Sequence, residues 1–195
     1  MTHGEQGPPE ATPHLAPEEF AALVDRHQHA LHVYLAGLIG NSEQAFDLVQ
    51  ETFCEAWRAA RVGSPPFRRG VDDAERRRWL FRVGSNNAIS ALRHGRLIRW
   101  EPLEILPEQL LGADTPFETR VVEGEALRAA LAQLAPQDVA CLLLRVVHGL
   151  RAAEVAAILD TTPENVNNRL ARAKQRLRAA YLAECAPARK TETPT

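Results

Sequence analysis

Basic and amide side chains dominate the stretch from Thr161 to Ala180, and such groups can donate hydrogen bonds to phosphates and base edges. Apolar residues recur within it at spacings of three and four, which predicts one buried helical stripe. The other faces carry seven candidates for contact with DNA: Glu164, Asn165, Asn168, Arg169, Arg172, Lys174 and Arg176. A basic run is also typical of an ordinary solvated helix face, so neighbouring elements must decide between the two interpretations.

The segment before this helix predicts a helix-turn-helix. Arg151–Leu159 has helical spacing, Asp160 opens a short break, and Pro163 suits the first turn of the next helix. Ala156 is small where the two helices would cross. In such a motif the second helix presents the start of its exposed face to the major groove. We therefore expect base contacts from four residues and phosphate contacts from three: Glu164, Asn165, Asn168 and Arg172, then Arg169, Lys174 and Arg176.

The net charge of −2 hides an alternating pattern along the chain. Residues 67–100 carry 9 basic and 3 acidic side chains, and residues 128–195 carry 10 and 6. Residues 1–66 carry 3 and 9, and residues 101–127 carry 1 and 7. Because a duplex attracts local basic surface rather than net charge, both basic segments could contact a polyanion. The acidic segments could face a basic protein partner.

Other chemistry finds little support in the residues. Paired carboxylates and a Ser-His arrangement are missing, so we expect no enzyme. His27, His29 and His32 lack Cys or carboxylate partners at ligand spacing, and GSPPFRRG is no phosphate-binding loop. We therefore expect neither a metal nor a cofactor. The three cysteines are far apart, no apolar run approaches the roughly 20 residues of a membrane span, and no secretory signal precedes the first helix. These features predict a cytoplasmic protein without membrane insertion.

Helical periodicity throughout predicts an all-α fold of two small domains joined by an acidic flexible linker, the second domain being the helix-turn-helix. The predicted parts are a disordered tail (1–16), a first domain (17–96), the linker (97–123), a second domain (124–184) and a disordered tail (185–195). Gly40 should end the first helix, and Asn41 should cap the second in a reciprocal box with Gln44. The linker should contain at most short helical turns, with the next helix starting at Gly124.

Three segments resemble conserved regions of one family, in the order in which that family has them. GLRAAEVAAILDTTPENVNNRLARAKQRLR is similar to the fourth region of extracytoplasmic-function (ECF) sigma factors, in the sigma-70 family of bacterial RNA polymerase. FDLVQETFCEAWRAA resembles the family's second region, and WLFRVGSNNAISALR resembles the segment that engages the minus-ten promoter element. The resemblance covers most of the chain and implies promoter-specific initiation of transcription with core RNA polymerase.

The resemblance also implies roles for particular residues. Asp47, Gln50 and Glu51 match positions that dock on the clamp helices of the large polymerase subunit. The block expected to meet minus-ten DNA contains Arg77, Arg78, Trp79, Asn86 and Asn87. The Ser64–Asp73 loop would form the lip of a pocket for a flipped base, and the seven residues of the C-terminal helix would contact the minus-thirty-five element as duplex. Departures from the family pattern stand at Ser85, Ser90 and Asn167.

Two other classes of function fit parts of the pattern. A stand-alone helix-turn-helix regulator would bind an operator without polymerase, although no helix here resembles a dimerisation element. A helical adaptor would bind a partner and never contact DNA. Many members of the resembled family are held by an anti-sigma factor, which makes such a protein a further candidate partner.

Overall fold

The computed structural model describes residues 15–95 and 117–185, with side chains from 124 onward in the second range. These ranges contain no β-strand, as the all-α prediction requires. Their elements are α1 (Pro17–Ile39), α2 (Ser42–Arg61), a 3-10 turn (Pro65–Phe67), α3 (Asp73–Arg93), α4 (Phe117–Ala132), α5 (Pro136–Val146), α6 (Ala152–Ile158) and α7 (Pro163–Cys185). Most of the predicted linker and tails lies outside the described residues.

Local signals set the ends of α1 and α2. Gly40 ends α1 in the left-handed conformation, with φ 76°. The Asn41 side chain then accepts a hydrogen bond from the Gln44 backbone N–H at 2.9 Å. The expected reciprocal bond is missing, because the buried Oε1 of Gln44 has no hydrogen-bond partner among the described residues. The cap was therefore predicted correctly, and the full capping box was not.

The first domain is a bundle of α1, α2 and α3 around one apolar core. Gly84 lies where α3 passes close to α1, since a Cβ there would lie 3.3 Å from Cδ1 of Leu31. Two polar groups in this core are bonded to each other, because the hydroxyls of Tyr34 and Ser85 lie 2.7 Å apart. Leu15 is also buried against the core, so the predicted disordered tail does not extend to residue 16.

The second domain contains α4 to α7, and its last two helices form the predicted helix-turn-helix. Asp160 in the turn adopts a positive φ of 49°, which a residue at this position of such a turn normally takes. Val155, Ala156 and Val166 are buried where α6 meets α7. One boundary was predicted wrongly: α4 begins at Phe117 rather than at Gly124, so the end of the expected linker is helical. The segment that continues α4 backwards contains no Pro or Gly to stop it.

The two domains contact each other: α5 packs against α1 and α3, and α6 packs against α3. Neither the composition nor the charge pattern predicted this arrangement, in which two helical units share a contiguous apolar core.

Candidate nucleic-acid interface

The solvent-facing side of α2 carries the expected docking residues. Asp47, Gln50 and Glu51 are all exposed, because the opposite side of α2 is buried against the bundle. Asp47 and Glu51 line a shallow cleft of about 290 Å³ whose other wall includes Asn87 of α3. This exposed face is acidic and suits a partner of opposite charge.

One face of α3 brings together two of the expected minus-ten residues. Arg78 and Asn86 lie on the same side of the helix, two turns apart. Arg82 lies between them and is exposed, although sequence reasoning had not singled it out. Its i, i+4 spacing from Arg78 was the signal that could have found it. Asn87 lies apart from this group, since its amide donates a hydrogen bond to Oε1 of Glu55 on α2 at 2.8 Å.

Two other residues of this block, Arg77 and Trp79, contact aromatic side chains. The guanidinium carbon of Arg77 lies 5.4 Å from the centre of the Phe81 ring. Trp79 packs edge-on against Phe67 with ring centres 4.9 Å apart, and Phe67 is fully buried. Trp79 therefore packs against the Ser64–Asp73 loop through Phe67, which is a packing role for this ring.

That loop is fixed by side-chain hydrogen bonds to its backbone. Arg76 donates to the carbonyl oxygens of Pro66 and Arg68, at 3.2 and 3.1 Å. Arg68 in turn donates to the carbonyl oxygen of Gly63 at 2.9 Å. These bonds hold the loop beside the basic face of α3, where the resemblance places the lip of a base pocket.

Most of the expected DNA-contacting residues on α7 are exposed on its surface. These are Glu164, Asn168, Arg172, Lys174 and Arg176. Asn165 is half-buried and donates from its amide to the hydroxyl of Thr161 at 2.7 Å. The Thr162 hydroxyl accepts from the Asn165 backbone N–H at 3.2 Å, which caps the start of α7.

Arg169 makes a contact within the protein. Its guanidinium donates to Oδ1 of Asp138 at 3.1 Å, and Arg176 lies 3.8 Å from the other oxygen of the same carboxylate. The Asp138 side chain is only 7% exposed, whereas that of Arg176 is 63% exposed. Asp138 thus links α5 to α7 and sets the position of the basic helix. Sequence reasoning missed it, although a lone acid before a run of apolar residues was a signal.

Replacing Asp138 with alanine should lower the free energy of unfolding by about 2–4 kcal/mol, because Arg169 would be left partly buried without its carboxylate. Chemical denaturation monitored by circular dichroism measures this change. Glu125→Ala removes an exposed acid from α4 of the same domain and is the matched control. Equal stability of the two variants would show that the Asp138 contact does not hold α7 in place.

The described residues contain no group of three or more His, Cys, Asp or Glu side chains that could hold a metal ion. Within the same part of the chain, every helix is too short or too polar to cross a membrane.

Comparison with known families matches both domains. Residues 23–97 match the family model for sigma-70 region 2, and residues 124–177 match that for sigma-70 region 4. The first match contains α2, the basic face of α3 and the loop between them. The second contains the helix-turn-helix.

Individual proteins extend the match across both domains. The chain is 33% identical over 165 residues to the ECF RNA polymerase sigma factor SigE of Mycolicibacterium smegmatis, covering 80% of this chain and 60% of that protein. It is 32% identical over 163 residues to the ECF RNA polymerase sigma factor SigL of Mycobacterium tuberculosis, covering 80% of this chain and 85% of that protein. The chain thus spans less than two thirds of SigE but most of SigL.

A solved structure shares the fold. The sigma factor RpoE of Bartonella quintana, crystallised with the anti-sigma factor NepR, superposes with a TM-score of 0.63 at 23% identity. The match covers 84% of this chain and 96% of RpoE. Two regional family matches in the expected order, together with a relative matched over most of its length, identify the family. The chain belongs to the ECF RNA polymerase sigma factors.

Proposed function

We propose that this chain binds core RNA polymerase and directs it to particular promoters. One observation carries the proposal: the chain combines an exposed acidic face on α2 with two separate basic surfaces, one on α3 and one on α7. Asp47, Gln50 and Glu51 would engage the clamp helices of the large polymerase subunit. The α3 face would hold the minus-ten strand, and α7 would contact the minus-thirty-five duplex in the major groove.

The side chains on α7 and on α3 suit different forms of DNA. On α7, exposed amide and guanidinium groups such as those of Asn168 and Arg172 suit base edges, and Lys174 suits phosphates. On α3, Arg78 and Asn86 lie beside an ordered loop, which suits a single strand with an unstacked base. Holding an unstacked base of the minus-ten strand would favour strand separation at that element and toward the start site.

The chain would act by binding and strand separation and perform no bond chemistry of its own. Its place of action would be the cytoplasm, where core polymerase and promoters are. An anti-sigma factor as a further partner is an expectation from the family.

Gel filtration of the purified chain with bacterial core RNA polymerase tests the proposal. Co-elution in a stable complex is the expected result. Binding to duplex DNA without co-elution would instead indicate a stand-alone regulator. Binding to neither would favour a helical adaptor and reject the proposed function.

A further inference from the structure

A small cleft opens where the Ser64–Asp73 loop meets the first turns of α3. Its volume is about 130 Å³, well below the roughly 300 Å³ or more of pockets for drug-sized ligands, so it suits one planar ring. One wall comes from the loop and the others come mainly from α3: Pro66, then Glu75, Arg78, Trp79 and Arg82, with Ala157 of α6 completing the lining. The cleft therefore has room for a single nucleobase.

The apolar walls of this cleft are fixed by contacts within the first domain. The Arg76 guanidinium donates to the carbonyl oxygen of Pro66 at 3.2 Å. The Trp79 ring packs edge-on against the buried Phe67, with ring centres 4.9 Å apart. Pro66 and Trp79 thus form an apolar frame that is in place before a ligand binds, and enzymes that read an unstacked base hold it between such groups.

Glu75 is the acidic residue of the cleft, and its carboxylate is available to a ligand. The two acids before it have partners in the fold. Asp72 accepts from the Ala74 backbone N–H at 3.3 Å, and the Asp73 carboxylate accepts from Arg26 at 2.8 Å. The Glu75 side chain is exposed and has neither a hydrogen bond nor an ion pair among the described residues. The positive end of the helix dipole favours an acid in this turn, but Asp72 and Asp73 already supply that charge.

The chemistry of this lining distinguishes between bases. Cytosine and adenine carry an exocyclic amino group where thymine and guanine carry a carbonyl oxygen. The Glu75 carboxylate only accepts hydrogen bonds, so it attracts the amino group and repels the carbonyl oxygen. Arg78 and Arg82 only donate, and they suit the remaining acceptors of the base or the phosphate of the same nucleotide. The lining thus favours an amino-bearing base.

We propose that the cleft binds one base of the minus-ten strand and that Glu75 selects cytosine or adenine over thymine or guanine. The apolar frame holds the ring, the Glu75 carboxylate accepts from its amino group, and the two arginines bind the nucleotide. The proposal rests on the proposed function for the strand that is bound. The choice of base rests on the lining of the cleft alone.

Selection of promoters from a random library tests this base preference in the assembled complex. Core RNA polymerase bound to the full chain is mixed with duplex fragments of random sequence, and the fragments found in stable open complexes are sequenced. Fragments with a mismatch at each enriched minus-ten position, in which only one strand varies, then identify the strand and the base that is held.

Two substitutions change the hydrogen bonding of residue 75 to different extents. Glu75→Gln is nearly isosteric and offers both an acceptor and a donor, whereas Glu75→Lys offers only donors. Glu125→Gln and Glu125→Lys make the same changes at an exposed position of α4 and are the matched controls for charge. Because both positions are exposed, all four variants should fold, which circular dichroism checks.

The wild-type complex should prefer an amino-bearing base by about tenfold at one minus-ten position. This preference should disappear with Glu75→Gln and shift to thymine or guanine with Glu75→Lys. The minus-thirty-five sequence should stay the same in every variant, and the Glu125 controls should keep all wild-type preferences.

A merely structural role of Glu75 would weaken binding to every sequence equally, so uniform weakening with the same base preferences would overturn the assignment. A wild-type preference for thymine or guanine at the position that responds to Glu75 would overturn it as well. If the complex of the wild-type chain selects no sequence at all, the proposed function itself is rejected, and this inference with it.

Discussion

Replacing Asp47 with arginine should abolish co-elution of the chain with core RNA polymerase. Asp47 lies on the exposed acidic face of α2, and the opposite side of that helix is buried, so the substitution alters the surface and leaves the core intact. Reversing a charge within a complementary interface removes one attraction and adds a repulsion. Like-charge juxtaposition there costs several kcal/mol, so we expect affinity to fall by at least about a hundredfold.

Asp25→Arg provides the control for this experiment. It makes the same charge reversal at an exposed position of α1 outside the docking segment. The control should co-elute as the wild type does, and both variants should keep their helical circular dichroism. Retained co-elution of Asp47→Arg would remove α2 from the docking surface, even if the chain still binds polymerase elsewhere.

Replacing both Asn168 and Arg172 with alanine should produce the second large effect. These exposed side chains lie on the start of α7, where a helix-turn-helix meets base edges. Each specific base contact contributes about 1–3 kcal/mol of discrimination, so losing both should weaken binding to the minus-thirty-five duplex by roughly a hundredfold. Binding of the polymerase complex to labelled promoter fragments measures the loss, and co-elution with core polymerase should not change.

Arg178→Ala is the matched control for the recognition helix, because it removes an exposed cation from the later part of α7. Its effect should be small and largely independent of promoter sequence. An equal loss in this control and in the double variant would mean that α7 contributes only general electrostatic attraction. In that case the assignment of Asn168 and Arg172 to base contacts would be wrong.

Signals close together in sequence predicted most of the fold. Gly40 and Asn41 marked the end of one helix and the start of the next, and both act as expected because such caps depend on neighbouring residues. The turn at Asp160, where the backbone takes a positive φ, is local in the same way. The start of α4 was missed although Thr115 is followed by Pro116 and, three residues on, by Glu118, which is a typical helix start. The acidic, Pro-containing composition of the stretch resembled a linker and outweighed this signal.

Contacts between distant residues could not be predicted in the same way. Helical periodicity shows which face of a helix is buried, but it does not identify the side chain that lies opposite. Arg169 was expected to contact phosphates, and nothing on α7 indicated that it also donates a hydrogen bond to Asp138. The hydrogen bond of Asn87 to Glu55 depends on how α2 and α3 pack, so nothing in the sequence indicated it. The packing of α6 against α3 required knowing that the two domains touch.

The residue roles in DNA and polymerase binding rest on the family resemblance together with exposure on the expected faces. Family membership itself rests on the matches across both domains. The docking and DNA-contact assignments remain predictions for the variants above to test.

Transcription reconstituted from purified core polymerase, this chain and genomic DNA of the organism that encodes it tests the central claim most directly. Sequencing the 5′ ends of the transcripts shows where initiation occurs. A sigma factor should produce a limited set of start sites that share upstream elements, and these should disappear with Asp47→Arg. Start sites identical to those of core polymerase alone would contradict the proposal that this chain directs promoter selection.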